Sequence, residues 1–292
     1  MVAATLLRSQ AENYVELVKP RIVALVMVTA AAGFWLAGPP LHHTIVLFHA
    51  LLGTVLVAAG TNALNQIFER DTDALMRRTE HRPLPAGRLS VGSASTFAWF
   101  TGATGIMYLA VFVNVLTATL AAATLISYVF LYTPLKRRTS LSTLVGAVPG
   151  ALPIVGGWAA ATGSIDPRAW VLFWILFLWQ LPHFLALSWM YKEDYARAGI
   201  KMLSVDDADG RRTFTNASLY AAALVPASMA PTVLGVSGGL YFVGAVVLSV
   251  GFLLVALRAA KYSSDIHARN LFRASLVYLP ALLGLMAADR VI

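Results

Sequence analysis

Nine apolar stretches, each near the roughly 20 residues needed to cross the hydrocarbon of a bilayer, divide this 292-residue chain almost end to end. They lie at about 21–38, 45–66, 91–111, 115–133, 140–161, 169–190, 213–233, 238–257 and 270–289. In lipid every backbone amide must be satisfied within its own segment, so each stretch is expected to be a helix. A transmembrane barrel would need ten-residue alternating strands, and the sequence has none. The chain is 58% hydrophobic and 12% charged, with a mean hydropathy of +0.70. A soluble domain of this length could not hide so much apolar surface. The expectation is one all-α domain over residues 1–292, a polytopic membrane helix bundle of about nine transmembrane helices.

Lys and Arg in the connections set the orientation. With nine spans and the N-terminus inside, the inner segments take 20 of the 22 basic residues and leave only Arg168 and Arg290 outside. The N-terminus is therefore expected in the cytoplasm and the C-terminus outside. The formal charge of +8 is then mostly this bias, and nucleic-acid binding is a poor account of it. There is no cysteine, which excludes disulfides and thiolate chemistry. Neither a signal peptide nor a transit peptide is evident, which favours the cell (inner) membrane of a prokaryote.

Several features have plain structural explanations. Pro20 suits the first turn of a helix. Pro149, Pro153, Pro182, Pro226, Pro231 and Pro280 fall inside spans and are expected to kink them. Trp35, Trp158, Trp170 and Trp189 read as interfacial anchors. His42, His43 and His49 read as a polar patch on the outer side, and Lys136, Arg137 and Arg138 as topology determinants.

Two polar clusters stand out, both at the inner face where the connections are long. The first runs NQIFERDTDALMRRTEHRPLPAG from Asn65. Asn65, Glu69 and Asp73 are spaced i, i+4 and i+8, so on a helix they fall within about 80° of one another. Three oxygen donors on one face, followed by Arg77, Arg78, Arg82 and Arg88, suit a metal ion plus a polyanion. Alternatively Asn62, one turn earlier, Asn65 and Gln66 join helices by hydrogen bonds, and Glu69 and Asp73 merely pair with arginines in a solvated loop. The second cluster is LWQLPHFLALSWMYKEDYARAGIKMLS, residues 178–204. On one continuous helix Gln180, His183, Tyr191 and Asp194 would share a narrow sector. His183 is as readily a structural histidine as a ligand, although ionisable groups at such depth often mark substrate paths.

Carboxylates at two helix ends on one membrane face, each with basic neighbours, suggest diphosphate chemistry. Mg²⁺ takes oxygen ligands and is commonly held by one or two carboxylates plus substrate phosphates. A cation between carboxylate and phosphate reverses the local repulsion. The reaction favoured is ionisation of an allylic C–O bond, with negative charge gathering on departing pyrophosphate. An isoprenoid tail would lie among the apolar helices.

These residues resemble the UbiA superfamily of intramembrane prenyltransferases, and within it the branch acting on heme. The first motif matches as Asn65, Glu69, Asp73, Arg77-Arg78-Thr79 and Arg82-Pro83-Leu84-Pro85. The second matches as HFLALSW and YKEDYARAGIKML, with Tyr132-Thr133-Pro134-Leu135-Lys136-Arg137 extending the likeness. Many superfamily members carry Asp at the positions of Gln66 and Glu69; Ser204 stands where the heme branch usually has Pro. The resemblance implies transfer of a farnesyl group from farnesyl diphosphate to the 2-vinyl group of heme b, with water addition, giving heme O and pyrophosphate at the cytoplasmic side. It implies Asn65, Glu69, Asp73 and Asp194 as catalytic Mg²⁺ and diphosphate ligands. Arg77, Arg82 and Lys192 follow as diphosphate contacts, His183 and Tyr191 as heme or acceptor contacts, and Asn62 and Gln180 as supports. Beyond the lipid bilayer, a homo-oligomer or a contact with heme A synthase is compatible with it. Two alternatives remain: a related enzyme acting on an aromatic or quinone precursor, and a transporter built on Pro-broken helices. Against the transporter, several spans have no ionisable group at their centres.

Overall fold

The computed structural model describes residues 2–38 and 43–291, with side chains from Gln10 onward; His42 lies outside the described residues. All nine apolar stretches are helical, and among the described residues there is no strand beyond one isolated bridge between Ser237 and Arg290. The helices are α1 (Val2–Val18), α2 (Pro20–Leu36), α3 (Thr44–Asp73), α4 (Val91–Phe112) and α5 (Val115–Ile126). A π-helical segment, Ser127–Tyr132, continues α5 into the single turn α6 (Thr133–Leu135). Then come α7 (Ser142–Thr162), α8 (Pro167–Met190), α9 (Lys192–Arg197), α10 (Arg211–Val233), α11 (Gly239–Tyr262) and α12 (Asp265–Ala288).

Seven of these are long and apolar enough to cross a membrane, or eight if the bent pair α1–α2 counts as one span. The expected nine is therefore not reached by length and composition among the described residues. The difference is α10, 23 residues long, whose first half, RRTFTNAS, is polar. Large apolar side chains face outward from every side, among them Phe100, Val111, Val233 and Val247, as a bilayer-embedded surface requires.

Two cores hold the bundle. One joins α7, α8, α10, α11 and α12 through Trp158, Phe173, Leu176, Phe214, Tyr241 and Tyr278. The other joins α1, α3, α4 and α5 through Leu17, Leu64, Leu109 and Leu125. Trp158 and Trp189 are buried to 1% and 5% exposure, so they are core residues and not the expected interfacial anchors; Trp35 and Trp170 do face outward. Trp189 is drawn inward by its bond from Nε1 to Asp265 Oδ1, 2.9 Å.

The proline positions divide. Pro20 occupies the first turn of α2 as expected. The six interior prolines lie in α7, α8, α10 and α12, which run on through them. A sharp bend, 44°, separates α1 from α2. Lys19 there has φ 58° and ψ 69°, a left-handed conformation that is uncommon outside glycine.

Helices α2 and α7 meet through reciprocal glycines. A Cβ on Gly33 would collide with the carbonyl of Ile154, and one on Gly157 with that of Ala30. Without a hydrophobic drive between helices in lipid, such close backbone approach is a main source of association. Gly157→Leu is expected to cost at least about 2 kcal/mol, in the range of overpacked cores. A lowered thermal midpoint of the purified protein in detergent would register it; an unchanged midpoint would contradict this packing.

Candidate active site

Helix α3 continues unbroken to Asp73, so Asn65, Glu69 and Asp73 are on one helix as their spacing demands. Asn65 and Asp73 are 1% and 0% exposed. Each of the three polar groups is met by a basic side chain. Lys19 Nζ donates to Asn65 Oδ1 at 3.1 Å, Lys136 Nζ to Glu69 Oε1 at 2.7 Å, and Arg82 Nη1 to Asp73 Oδ2 at 2.7 Å. Buried carboxylates need such partners, because an uncompensated charge out of water is costly.

Each basic side chain is positioned by an identifiable local device. Asn62 Nδ2 donates to the carbonyl of Val18 (2.8 Å) and Gln66 Nε2 to that of Leu17 (2.7 Å). These amides satisfy carbonyls left open at the end of α1 and hold the break that aims Lys19 at Asn65. In lipid-facing α5 the π turn shifts the register, a feature often found at functional sites. Thr133 Oγ1 then donates to Tyr128 O (2.9 Å) and accepts from Asn65 Nδ2 (3.1 Å). Lys136, one turn on, lies over the Tyr132 ring at 4.4 Å. Burial works against charge on Lys136, yet Glu69, with Tyr132 beside it, holds its ammonium well above the usual lysine value. Residues 74–90 form a compact loop in which Thr79 Oγ1 bonds Asp73 O, 2.9 Å, and Arg82 turns back to the same residue.

The second motif packs directly on this loop. Arg78 lies over the Tyr191 ring at 4.6 Å and its Nη2 donates to Tyr195 Oη at 3.2 Å. Met76 packs with Tyr195, Ala198, Ile200 and Met202. Lys201 N donates to Lys136 O, 2.7 Å, fastening the segment after α9 to the end of α6. A cavity of about 350 Å³ is lined by Phe68, Glu69, Thr133, Lys136, Arg137, Arg138 and Ile200 among others.

Some expected placements change. Helix α8 ends at Met190, with Tyr191 (φ −117°, ψ 23°) as the joint to α9. Gln180, His183, Tyr191 and Asp194 therefore do not share one helical face, since that geometry presumed an unbroken helix. Gln180 turns to α7, donating to Ala147 O at 3.3 Å and to its own helix at Leu176 O, 3.0 Å. His183 turns to α12, where its Nδ1 is 2.8 Å from Ser275 Oγ. Asp194 pairs with Arg197 at 3.3 Å, and Lys192 Nζ lies 4.0 Å over the Trp189 ring. Arg77 is exposed; Arg78 is the member of that pair that reaches the second motif. Arg88 does not belong to the anion site, because it clamps α1 through Asn13 Oδ1 (2.7 Å) and Glu16 Oε2 (2.6 Å).

Lys19 and Lys136 were not singled out as site residues in the sequence, the latter being read as a topology determinant. The signal available was weak: a lysine at the edge of an apolar span. Their partners lie 46 and 67 residues away. Among the described residues no three His, Asp or Glu side chains form a ready metal cluster. Asp73 Oδ1, however, is buried without a hydrogen-bond partner. With Asn65 and Glu69 on the same face, this makes an oxygen donor set of the kind that suits a hard divalent cation.

Solved structures share the fold. A digeranylgeranylglyceryl phosphate synthase superposes with a TM-score of 0.81 at 15% identity, covering 96% of this chain and 98% of that one. A UbiA homolog from Archaeoglobus fulgidus bound to DMAPP and Mg²⁺ gives 0.65 at 16% identity, covering 94% and 99%. Curated relatives are far closer in sequence. The protoheme IX farnesyltransferase of Solibacter usitatus is 47% identical over 95% of this chain and 98% of its own. That of Myxococcus xanthus is 43% identical over 96% and 95%. The UbiA prenyltransferase family model matches residues 26–279. With that match over most of its length and relatives this similar end to end, the chain belongs to the UbiA prenyltransferase family.

Proposed function

We propose that this prenyltransferase transfers the farnesyl group of farnesyl diphosphate to the 2-vinyl group of heme b. The observation that carries the proposal is the cluster of basic side chains around the end of α3. Lys136 and Arg82 pair with Glu69 and Asp73, Lys19 is a third basic group whose partner is the neutral Asn65, and Arg78 reaches from the same loop to the second motif. Such a group is poised to exchange its internal partners for a diphosphate. The relatives bearing the name protoheme IX farnesyltransferase support the choice of donor and acceptor.

In this scheme Lys136, Arg82 and Lys19 hold the diphosphate oxygens by charge-assisted hydrogen bonds, with Arg77 and Lys192 as further contacts nearer the surface. Asn65, Glu69, Asp73 and Asp194 would hold Mg²⁺. When bound, the ion neutralises diphosphate charge and stabilises the departing pyrophosphate. The C1–O bond of the donor breaks heterolytically, leaving an allylic cation. The vinyl π-electrons attack C1, and water adds to the resulting cation with loss of a proton, giving the hydroxyethylfarnesyl side chain of heme O. The buried, nearly dry surroundings of Asn65 and Asp73 protect the first cation from premature capture by water. His183 and Tyr191 serve the acceptor, Asn62 supports the first cluster through the end of α1, and Gln180 ties α8 to α7. The site lies on the cytoplasmic side of the cell membrane, with the N-terminus on the same side.

Mass spectrometry of pigments formed when the protein is expressed with excess heme b tests the whole proposal; prenylated 4-hydroxybenzoate in place of heme O would favour an aromatic acceptor instead. Asp73→Ala and Asp194→Ala are each expected to abolish Mg²⁺-dependent heme O formation while the protein still inserts. Near-normal activity in both removes the metal assignment. Lys136→Met is expected to lower kcat/KM for farnesyl diphosphate by about 10²- to 10³-fold, as for loss of one donor to a developing anion. A variant retaining more than a tenth of the parental value would take Lys136 out of the diphosphate site.

A further inference from the structure

His183 sits in a second polar constellation, where its contacts among the described residues come from α8 and α12 and not from the charged residues around Asp73. Its imidazole stacks with Trp179 (centroids 5.2 Å, 25° between planes) and with Phe272 (4.8 Å, 30°). Phe184 packs edge-on at 5.5 Å. Three rings against it leave the imidazole little freedom to turn. Its Nδ1 lies 2.8 Å from Ser275 Oγ on α12. Ser275 is 0% exposed, and its hydroxyl hydrogen is already committed to the carbonyl of Phe272 at 2.6 Å. The Ser275 carbonyl in turn accepts from Trp179 Nε1 at 2.8 Å.

The tautomer compatible with both bonds of the hydroxyl is the one with its hydrogen on Nδ1: a hydroxyl that donates to Phe272 O accepts from His183. The lone pair is then on Nε2, across the ring from Nδ1, and Nε2 takes no hydrogen bond among the described residues. A histidine whose Nδ1–H is held by a fixed acceptor, with Nε2 left open, is the usual form of a histidine ligand to a metal. Resting on the heme-farnesylating function proposed above, we infer that Ser275 is a positioning residue for the acceptor: it holds His183 in the tautomer and orientation in which Nε2 takes an axial position on the iron of the heme substrate. Iron coordination would add a directional bond to an otherwise apolar plate and so fix the position and tilt of the porphyrin plane relative to α8. The bond forms by donation of the Nε2 lone pair, with no proton or electron exchanged.

The test uses the purified full-length protein in detergent, titrated with heme b and followed in the Soret band. Ser275→Ala should weaken heme affinity about 10- to 100-fold, the usual effect of removing such a supporting hydrogen bond, while KM for farnesyl diphosphate stays within twofold. Ser275→Thr, which keeps the hydroxyl, should restore it. In the ferrous complex, the iron–histidine stretching band should be absent from His183→Ala and move to lower frequency in Ser275→Ala, because an Nδ1–H without its acceptor makes a weaker donor ligand. An identical band position in Ser275→Ala, or equal losses toward heme and farnesyl diphosphate, overturns the positioning role. A parental spectrum in His183→Ala while heme O is still produced overturns the ligation and leaves the proposed reaction standing. Absence of farnesylated heme from the parent protein defeats the reaction and, with it, this inference.

Discussion

Two carboxylates buried at the end of a membrane helix have to be met by cations, and much of the polar architecture follows from that requirement. Glu69 takes Lys136 and Asp73 takes Arg82, while the neighbouring Asn65 takes Lys19. These basic groups come from three separate places: the α1–α2 joint, the end of α6 and the loop after α3. Satisfying the buried polar groups therefore fastens three segments to one helix. The pairs contribute only modestly to net stability, since desolvation offsets much of their Coulomb gain. Their larger effect is on position, because removing either member strands the other.

The irregular points of the backbone coincide with these attachments. The left-handed Lys19, the π turn at Ser127–Tyr132 and the joint at Tyr191 each lie beside a residue that reaches the site. A regular helix would carry those side chains about 100° per residue away from where they are needed. Elsewhere the bundle is built from close glycine contacts and apolar packing. That contrast separates the parts that hold the shape from those that handle the substrate.

The two polar constellations differ in chemistry. The residues around Asp73 offer fixed charge and hydrogen bonds suited to phosphate oxygens, while the surroundings of His183 offer aromatic faces and a single nitrogen. In the proposed reaction the first suits the diphosphate of the donor and the second the flat, iron-bearing acceptor.

Helix content and the positions of the apolar stretches were legible because the bilayer leaves the backbone one way to satisfy its amides, and 20-residue periods are local. The placement of Asn65, Glu69 and Asp73 on one face was legible for the same reason: it depends on helical pitch alone. Helix α10, marked as a span over 213–233, is set apart from the others by its polar first half. Lys19 and Lys136 escaped notice as site residues because what defines them is a partner dozens of residues distant. Trp158 looked like an anchor because sequence shows nearness to a span end and not which way the ring turns. Gln180 and His183, three positions apart, went to different neighbours, α7 and α12, and the joint at Tyr191 took Asp194 off their helix. The sequence by itself determined the helices and the chemistry of the two motifs, both of which are short-range properties. Which cation meets which carboxylate, and whether His183 faces phosphate or aromatic rings, was decided by how the helices pack, because that alone sets the distances between segments far apart in the chain.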